Sequence, residues 1–130
     1  VFSLQGALGC EWVRPERGLP QGCPLSPVIA AAVSHCWAAY VIGQDDPVTA
    51  KVTGHAYVDD RCLLLRAGAS RHHLREAIDR SHEFDLAFKL SLSLTKCAVV
   101  ASADDPAAAS LASNLGYKLL SSLEVLGVLV

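Results

Sequence analysis

A chain of 130 residues is long enough to bury one core and too short for two ordinary domains. At 52% apolar and 18% charged residues it has too much to bury to remain disordered, and a formal charge of −2 excludes an overall basic field. Five cysteines, at positions 10, 23, 36, 62 and 97, are odd in number and lack Cys-x-x-Cys or paired Cys/His spacing. That pattern excludes a disulfide framework and a zinc site, and fits buried thiols in a reducing compartment.

In chain order, Val1 to Val13 is weakly patterned, with Gly6 and Gly9 as turn signals; a short strand pair is expected there, its second member Cys10 to Arg14. Pro15 to Leu25 holds three prolines and two glycines and reads as a loop. Ser26-Pro27 then starts a helix, the serine as cap and the proline at the first helical position, running to about Val41 with Gly43 as its stop. The run Pro27 to Gly43 is apolar but short for a bilayer crossing, and Ser34, His35 and Gln44 interrupt or end it. Asp45-Asp46-Pro47 is a turn. Val48 to Val58 and Arg61 to Ala67 form a hairpin around Asp59 and Asp60.

Ser70 caps a second helix, Arg71 to about Phe88, with Leu74, Ala77, Ile78, Ser81, Phe84 and Phe88 on one stripe. Leu94 to Ala101 reads as a strand. Asp105-Pro106 opens a third helix that Gly116 closes, and Glu124 to Val130 is a final strand. The order β-α-β-β-α-β-α-β predicts an α+β domain with the helices on one face of a sheet. No signal peptide is expected. The chain has no methionine, begins at Val1 and ends inside an apolar run, which reads as a piece of a longer translation product.

Two segments carry chemistry. In Tyr57-Val58-Asp59-Asp60 two adjacent carboxylates repel each other between apolar strands, and a cation or a solvated surface must offset them. Asp45-Asp46 and Asp104-Asp105 are also acidic pairs, but Pro47 and Pro106 mark them as a loop and a helix cap. In Arg17-Gly18-Leu19-Pro20-Gln21-Gly22-Cys23-Pro24-Leu25-Ser26-Pro27 the glycines let backbone approach a ligand, and a helix N-terminus beside them favours phosphate. The arginines cluster around these segments: Arg14 and Arg17 before the loop, then Arg61, Arg66, Arg71, Arg75 and Arg80 after the acids. The last three read first as a solvated helix face, and as a phosphate-binding face only second. His72 and His73 are adjacent, so they point to different helix faces and do not chelate one ion.

The loop and the acidic hairpin, followed by Leu92-Ser93-Leu94-Thr95-Lys96 and Leu126-Gly127-Val128, resemble in order four motifs of the reverse-transcriptase palm, especially those of non-LTR retrotransposons and group II introns. The resemblance covers residues 17 to 128 and implies a polymerase palm-like antiparallel sheet with helices packed on one face. It also implies an RNA-directed DNA polymerase that adds deoxynucleotides to a primer 3′-OH with Mg2+ or Mn2+. Its partners would be an RNA template, a DNA primer and a deoxynucleoside triphosphate, with no membrane and no disulfide partner. The setting would be intracellular, cytoplasmic or nuclear.

By the same resemblance Asp59 holds metal and Asp60 is its neighbour in the metal and catalytic set, with Lys96 near the triphosphate as proton donor to pyrophosphate. Pro20, Gln21, Gly22, Tyr57 and Val58 line the nucleotide and template, Val58 facing the primer terminus. Leu126 and Gly127 belong to the primer grip. The loop 18–24 is expected to lie close to the acidic hairpin.

The chain also departs from the family. The family's first metal aspartate lies upstream on its own strand, whereas residues 1 to 17 contain no aspartate and only Glu11 and Glu16 as acids. The basic fingers segment is missing, Ser93 stands where asparagine is typical, and Arg61 where an apolar residue is usual. The expected domain is therefore residues 1–130 as a partial palm, truncated before its first catalytic aspartate, without fingers or thumb. The alternatives are an inactive palm remnant that binds nucleic acid or a protein partner, and a generic α+β domain with an incidental acidic hairpin.

Overall fold

The computed structural model describes residues 19, 22–43, 49–57, 60–102, 104–122, 124–125 and 128–129. Among these residues three α-helices and six short strands make a mixed α+β arrangement: α1 (Ser26–Val41), β1 (Val52–Tyr57), β2 (Asp60–Leu65), α2 (Arg71–Ala87), β3 (Ala98–Val100), α3 (Pro106–Leu115), β4 (Lys118–Leu120), β5 (Glu124–Val125) and β6 (Val128–Leu129). The segments expected as a first strand pair and as the turn 45–47 lie outside the described residues.

Helix α1 starts one residue earlier than the sequence suggests. The turn Gly22–Leu25 directs the Ser26 N–H to the Cys23 carbonyl at 3.0 Å, so Leu25 takes the cap position and Ser26 becomes the first helical residue, with Pro27 in the first turn. The helix ends at Val41, and glycine suits position 43 just beyond it, since a Cβ there would sit 2.9 Å from the Ala39 carbonyl oxygen.

Strands β1 and β2 pair antiparallel from Val52↔Leu65 to Tyr57↔Asp60. They are shorter than expected, and Asp60 belongs to the ladder, because only positions 58 and 59 separate the two strands. Period-two alternation divides the hairpin. Val52, Gly54, Ala56, Arg61, Leu63 and Leu65 share one face; Thr53, His55, Tyr57, Asp60, Cys62 and Leu64 share the other. Helices α1 and α2 pack on the first face and on each other, around a core of Trp37, Val41, Val52, Ala77 and Phe84. Gly54 is required there, since an added Cβ would meet Ile42 Cδ1 at 2.0 Å and Trp37 Cη2 at 3.2 Å.

The α2 stripe buries Ala77, Ile78 and Phe84 as its spacing predicts, and it also buries Asp85. Phe88 ends outside the helix, half exposed and stacked on Phe84 at 4.2 Å between centroids. Ser70 sits at the cap position, but its hydroxyl bonds the His73 ring Nδ1 at 2.9 Å instead of a helix N–H.

Beyond α2 the strand expected from Leu94 begins at Ala98, because Leu94–Lys96 closes a 3-10 turn through the Cys97 N–H. Strand β3 pairs parallel with β4, and α3 is the crossover between them. The strand β4 was not anticipated from the sequence. The expected last strand, Glu124 to Val130, contains the small antiparallel pair β5–β6. Among the described residues the strands thus form three two-stranded sheets in place of one continuous antiparallel sheet, since β3 and β4 find each other across α3 and not the hairpin.

The β3–α3–β4 unit is tied to α2 by the Arg71–Asp105 ion pair and by a 2.6 Å hydrogen bond between His82 Nε2 and Tyr117 Oη. A cavity of about 400 Å³, lined by Leu65, Leu74, Val99, Ala108 and Leu111, lies between the two units. Among the described residues no helix is long and apolar enough to cross a membrane. Cys23, Cys36, Cys62 and Cys97 are free thiols.

Helix α3 follows local rules closely. Asp105 accepts from the Ala107 and Ala108 N–H groups at 3.1 Å each, and Gly116 closes the helix at φ +69°. The Ala108 N–H, and after it the Arg71 guanidinium, hold the Asp105 carboxyl below the usual carboxylate range. A lowered pKa in the folded state contributes stability that is present above the unfolded carboxylate range and is lost as pH falls through the folded value. Asp105→Ala is therefore expected to melt earlier near neutral pH, and the gap from wild type to narrow as the pH falls through and below the usual carboxylate range. Circular dichroism melts across that range check it; a gap that stays constant to pH ~2 would contradict the charged cap.

Candidate functional site

The acidic end of the β1–β2 hairpin is built by the last ladder pair, Tyr57 opposite Asp60. Both side chains lie on the face turned away from the helices, Tyr57 63% exposed and Asp60 exposed. His55 and Cys62 form the next pair on that face, and burial pushes the Cys62 thiol up from its ordinary range. Val58 and Asp59, expected at this end, lie outside the described residues.

Directly after Asp60 the chain turns a cation inward. Arg61 alternates with Leu63 and Leu65 toward α1 and α2, and its Nη1 donates to Asp85 Oδ1 at 2.5 Å. The guanidinium carbon stands 5.3 Å from the Trp37 ring centroid and 5.6 Å from that of Phe84. Asp85 is 7% exposed, so the pair is largely out of water. Trp37 in turn donates through Nε1 to Ser81 Oγ at 2.9 Å. Arg61 is thus a half-buried cation beneath the hairpin, facing away from Asp60.

The sequence reading missed Asp85. Its position, two turns after Ile78 and one after Ser81 on the buried α2 stripe, was a usable signal, as was the inward register of Arg61 beside Leu63 and Leu65.

The Gly/Pro loop is described from Gly22 onward, with Leu19 before it. Gly22 takes φ +80°, a conformation that favours glycine, and is exposed at the entry to α1. Ile42 lies over Gly54, while Trp37 reaches both Gly54 and Arg61, nearer the acidic end. Pro20 and Gln21 lie outside the described residues. The Cys23 thiol, beside Gly22, is held below its ordinary range chiefly by a hydrogen bond from the Leu25 backbone.

Lys96 is exposed at the close of the 3-10 turn. Next to it Cys97 donates to the Ser93 carbonyl at 3.3 Å, and burial pushes its thiol up. Burial, followed by the neighbouring Cys97, pushes the Tyr117 phenol up to about 12, so it stays protonated in its bond with His82. Leu126 and Gly127 lie outside the described residues, between the paired Val125 and Val128.

A magnesium-like ion takes hard oxygen ligands, and the exposed Asp60 carboxylate is of that kind. Among the described residues no three His, Cys, Asp or Glu side chains converge on a point that could hold a metal ion. No family model matches the chain, and neither curated proteins nor solved structures give a significant match.

Proposed function

We propose that the chain is part of the palm of a retroelement RNA-directed DNA polymerase, with the acidic hairpin as its metal-holding element. The observation that carries this reading is the register Tyr57↔Asp60, which makes positions 58 and 59 the link between two strands and leaves the Asp60 carboxylate exposed on the helix-free face. The order of the four motifs along the chain supports it independently.

In this reading Asp59 and Asp60 offer hard oxygen ligands to Mg2+ or Mn2+, and the bound ions supply Lewis-acid stabilisation for attack by a primer 3′-OH. Pro20, Gln21 and Gly22 position the incoming nucleotide and template, Tyr57 and Val58 border the primer terminus, Lys96 delivers a proton toward the leaving pyrophosphate, and Leu126 and Gly127 hold the primer. A second reading is a palm remnant that binds nucleic acid or a protein partner without chemistry, with the inward-facing Arg61 beside the acids as a departure from the motif.

Two-metal transfer needs carboxylates from more than one strand. Primer extension by the 130-residue chain on primed RNA is therefore expected to be undetectable. It should appear once a reverse-transcriptase fingers and palm segment ending in an aspartate-bearing strand is joined ahead of Val1, and should vanish again with Asp59→Ala. Extension that persists in the Asp59→Ala chimera would overturn the assignment of the hairpin. A chimera that folds and binds primed template but never extends it would favour the second reading.

A further inference from the structure

Arg61 presents a physical puzzle. A buried ion pair is seldom more stable than well-packed apolar residues in the same space, because both ions lose their hydration. Inward-facing Leu63 and Leu65 on the same strand show what ordinary packing against these helices looks like. At position 61 the chain instead places a guanidinium, together with a carboxylate on α2 whose described partner is that guanidinium. The side chain touches three elements at once: β2 through its own backbone, α1 through Trp37, and α2 through Phe84 and Asp85. Apolar contacts are tolerant of sliding, whereas a guanidinium hydrogen-bonded to a buried carboxylate has a direction.

We propose that Arg61 is a positioning residue for metal binding at the hairpin: with Asp85 as its anchor it pins the start of β2 to α1 and α2, and so holds the adjacent Asp60 in place. This rests on the reading of the hairpin as the metal-holding element. Arg61 touches neither metal nor substrate, since the alternation that exposes Asp60 turns Arg61 to the opposite face. It acts on Asp60 through the shared backbone of β2 and not by a hydrogen bond to the ligand, so its loss is expected to weaken metal binding at the low end of the roughly 10- to 100-fold that follows removal of a ligand's hydrogen-bonded outer partner.

The test compares the 130-residue wild type with Arg61→Met/Asp85→Leu, which removes the pair at constant net charge and fills its space with apolar atoms. The probe is Mn2+, titrated while the paramagnetic broadening of the Asp60 amide signal is followed by NMR. The double variant is expected to keep the wild-type circular dichroism spectrum and to melt at or above the wild-type temperature. Its Mn2+ dissociation constant should nevertheless rise about tenfold. Arg61→Lys, which keeps the charge but loses the planar fork, should fall between the two.

A folded double variant with wild-type Mn2+ affinity would overturn the positioning role while leaving the hairpin as a metal site. Absence of Asp60 broadening in the wild type would overturn the metal-site reading itself, and this inference with it. Should the double variant fail to fold, Arg61→Lys decides: unchanged affinity rejects the proposal and weakened affinity supports it.

Discussion

Trp37→Ala is expected to destabilise the protein by about 3–5 kcal/mol, the range for deleting a large buried aromatic side chain. Trp37 is fully buried at the junction of α1, α2 and the hairpin. Its ring lies close over Gly54, receives the Arg61 guanidinium on its face, and donates to Ser81 through Nε1. Alanine therefore leaves a cavity, an unsupported cation and an unpaired serine hydroxyl together. Against the roughly 5–15 kcal/mol that stabilises a typical domain, this is a large fraction, and the melting temperature should fall by roughly 10–20 °C. Trp37→Phe keeps most of the apolar bulk but not the hydrogen bond to Ser81, so it should lose less, about 1–2 kcal/mol. Urea denaturation followed by far-ultraviolet circular dichroism distinguishes these cases. A loss below about 1 kcal/mol for alanine would mean that the two helices and the hairpin do not share this core.

Arg61→Ala should cost about 3–5 kcal/mol at neutral pH, because it strands the Asp85 carboxylate in a site with little water. The sign of the second step is the sharper expectation. Adding Asp85→Ala to Arg61→Ala should restore stability, since the double variant no longer holds an uncompensated buried charge. Simple loss of packing would instead make the double variant worse than either single one. A complete double-mutant cycle in urea checks this, and additive losses would show that the pair is not coupled through burial.

These two sites also show where sequence reasoning stopped. The alternation of Leu63 and Leu65 was readable, and so was the α2 stripe through Leu74, Ala77, Ile78 and Phe84. Arg61 was read as a cation beside the acids, because a strand residue can face either way until the covered side is known. Once α1 and α2 cover the face with Gly54 and Ala56, the same alternation carries Arg61 inward, and Asp85 becomes its natural partner. Of the candidate site, the exposed Tyr57 and Asp60 at the end of an antiparallel ladder were legible from the apolar flanks. The buried support beneath them was not.

What the sequence determined by itself was governed by interactions within a few residues. The proline in the first turn of α1, the Asp105 cap and Gly116 left-handed stop of α3, and the hairpin across positions 58 and 59 depend on local dihedral preferences and nearby N–H groups. Tertiary structure decided the choice of partners. It paired β3 with β4 in parallel across α3 and set Arg61 against an aspartate 24 positions away. A segment carries its own φ/ψ and capping preferences, but which distant surface covers it depends on how all the apolar faces close together, and no short window of sequence contains that information.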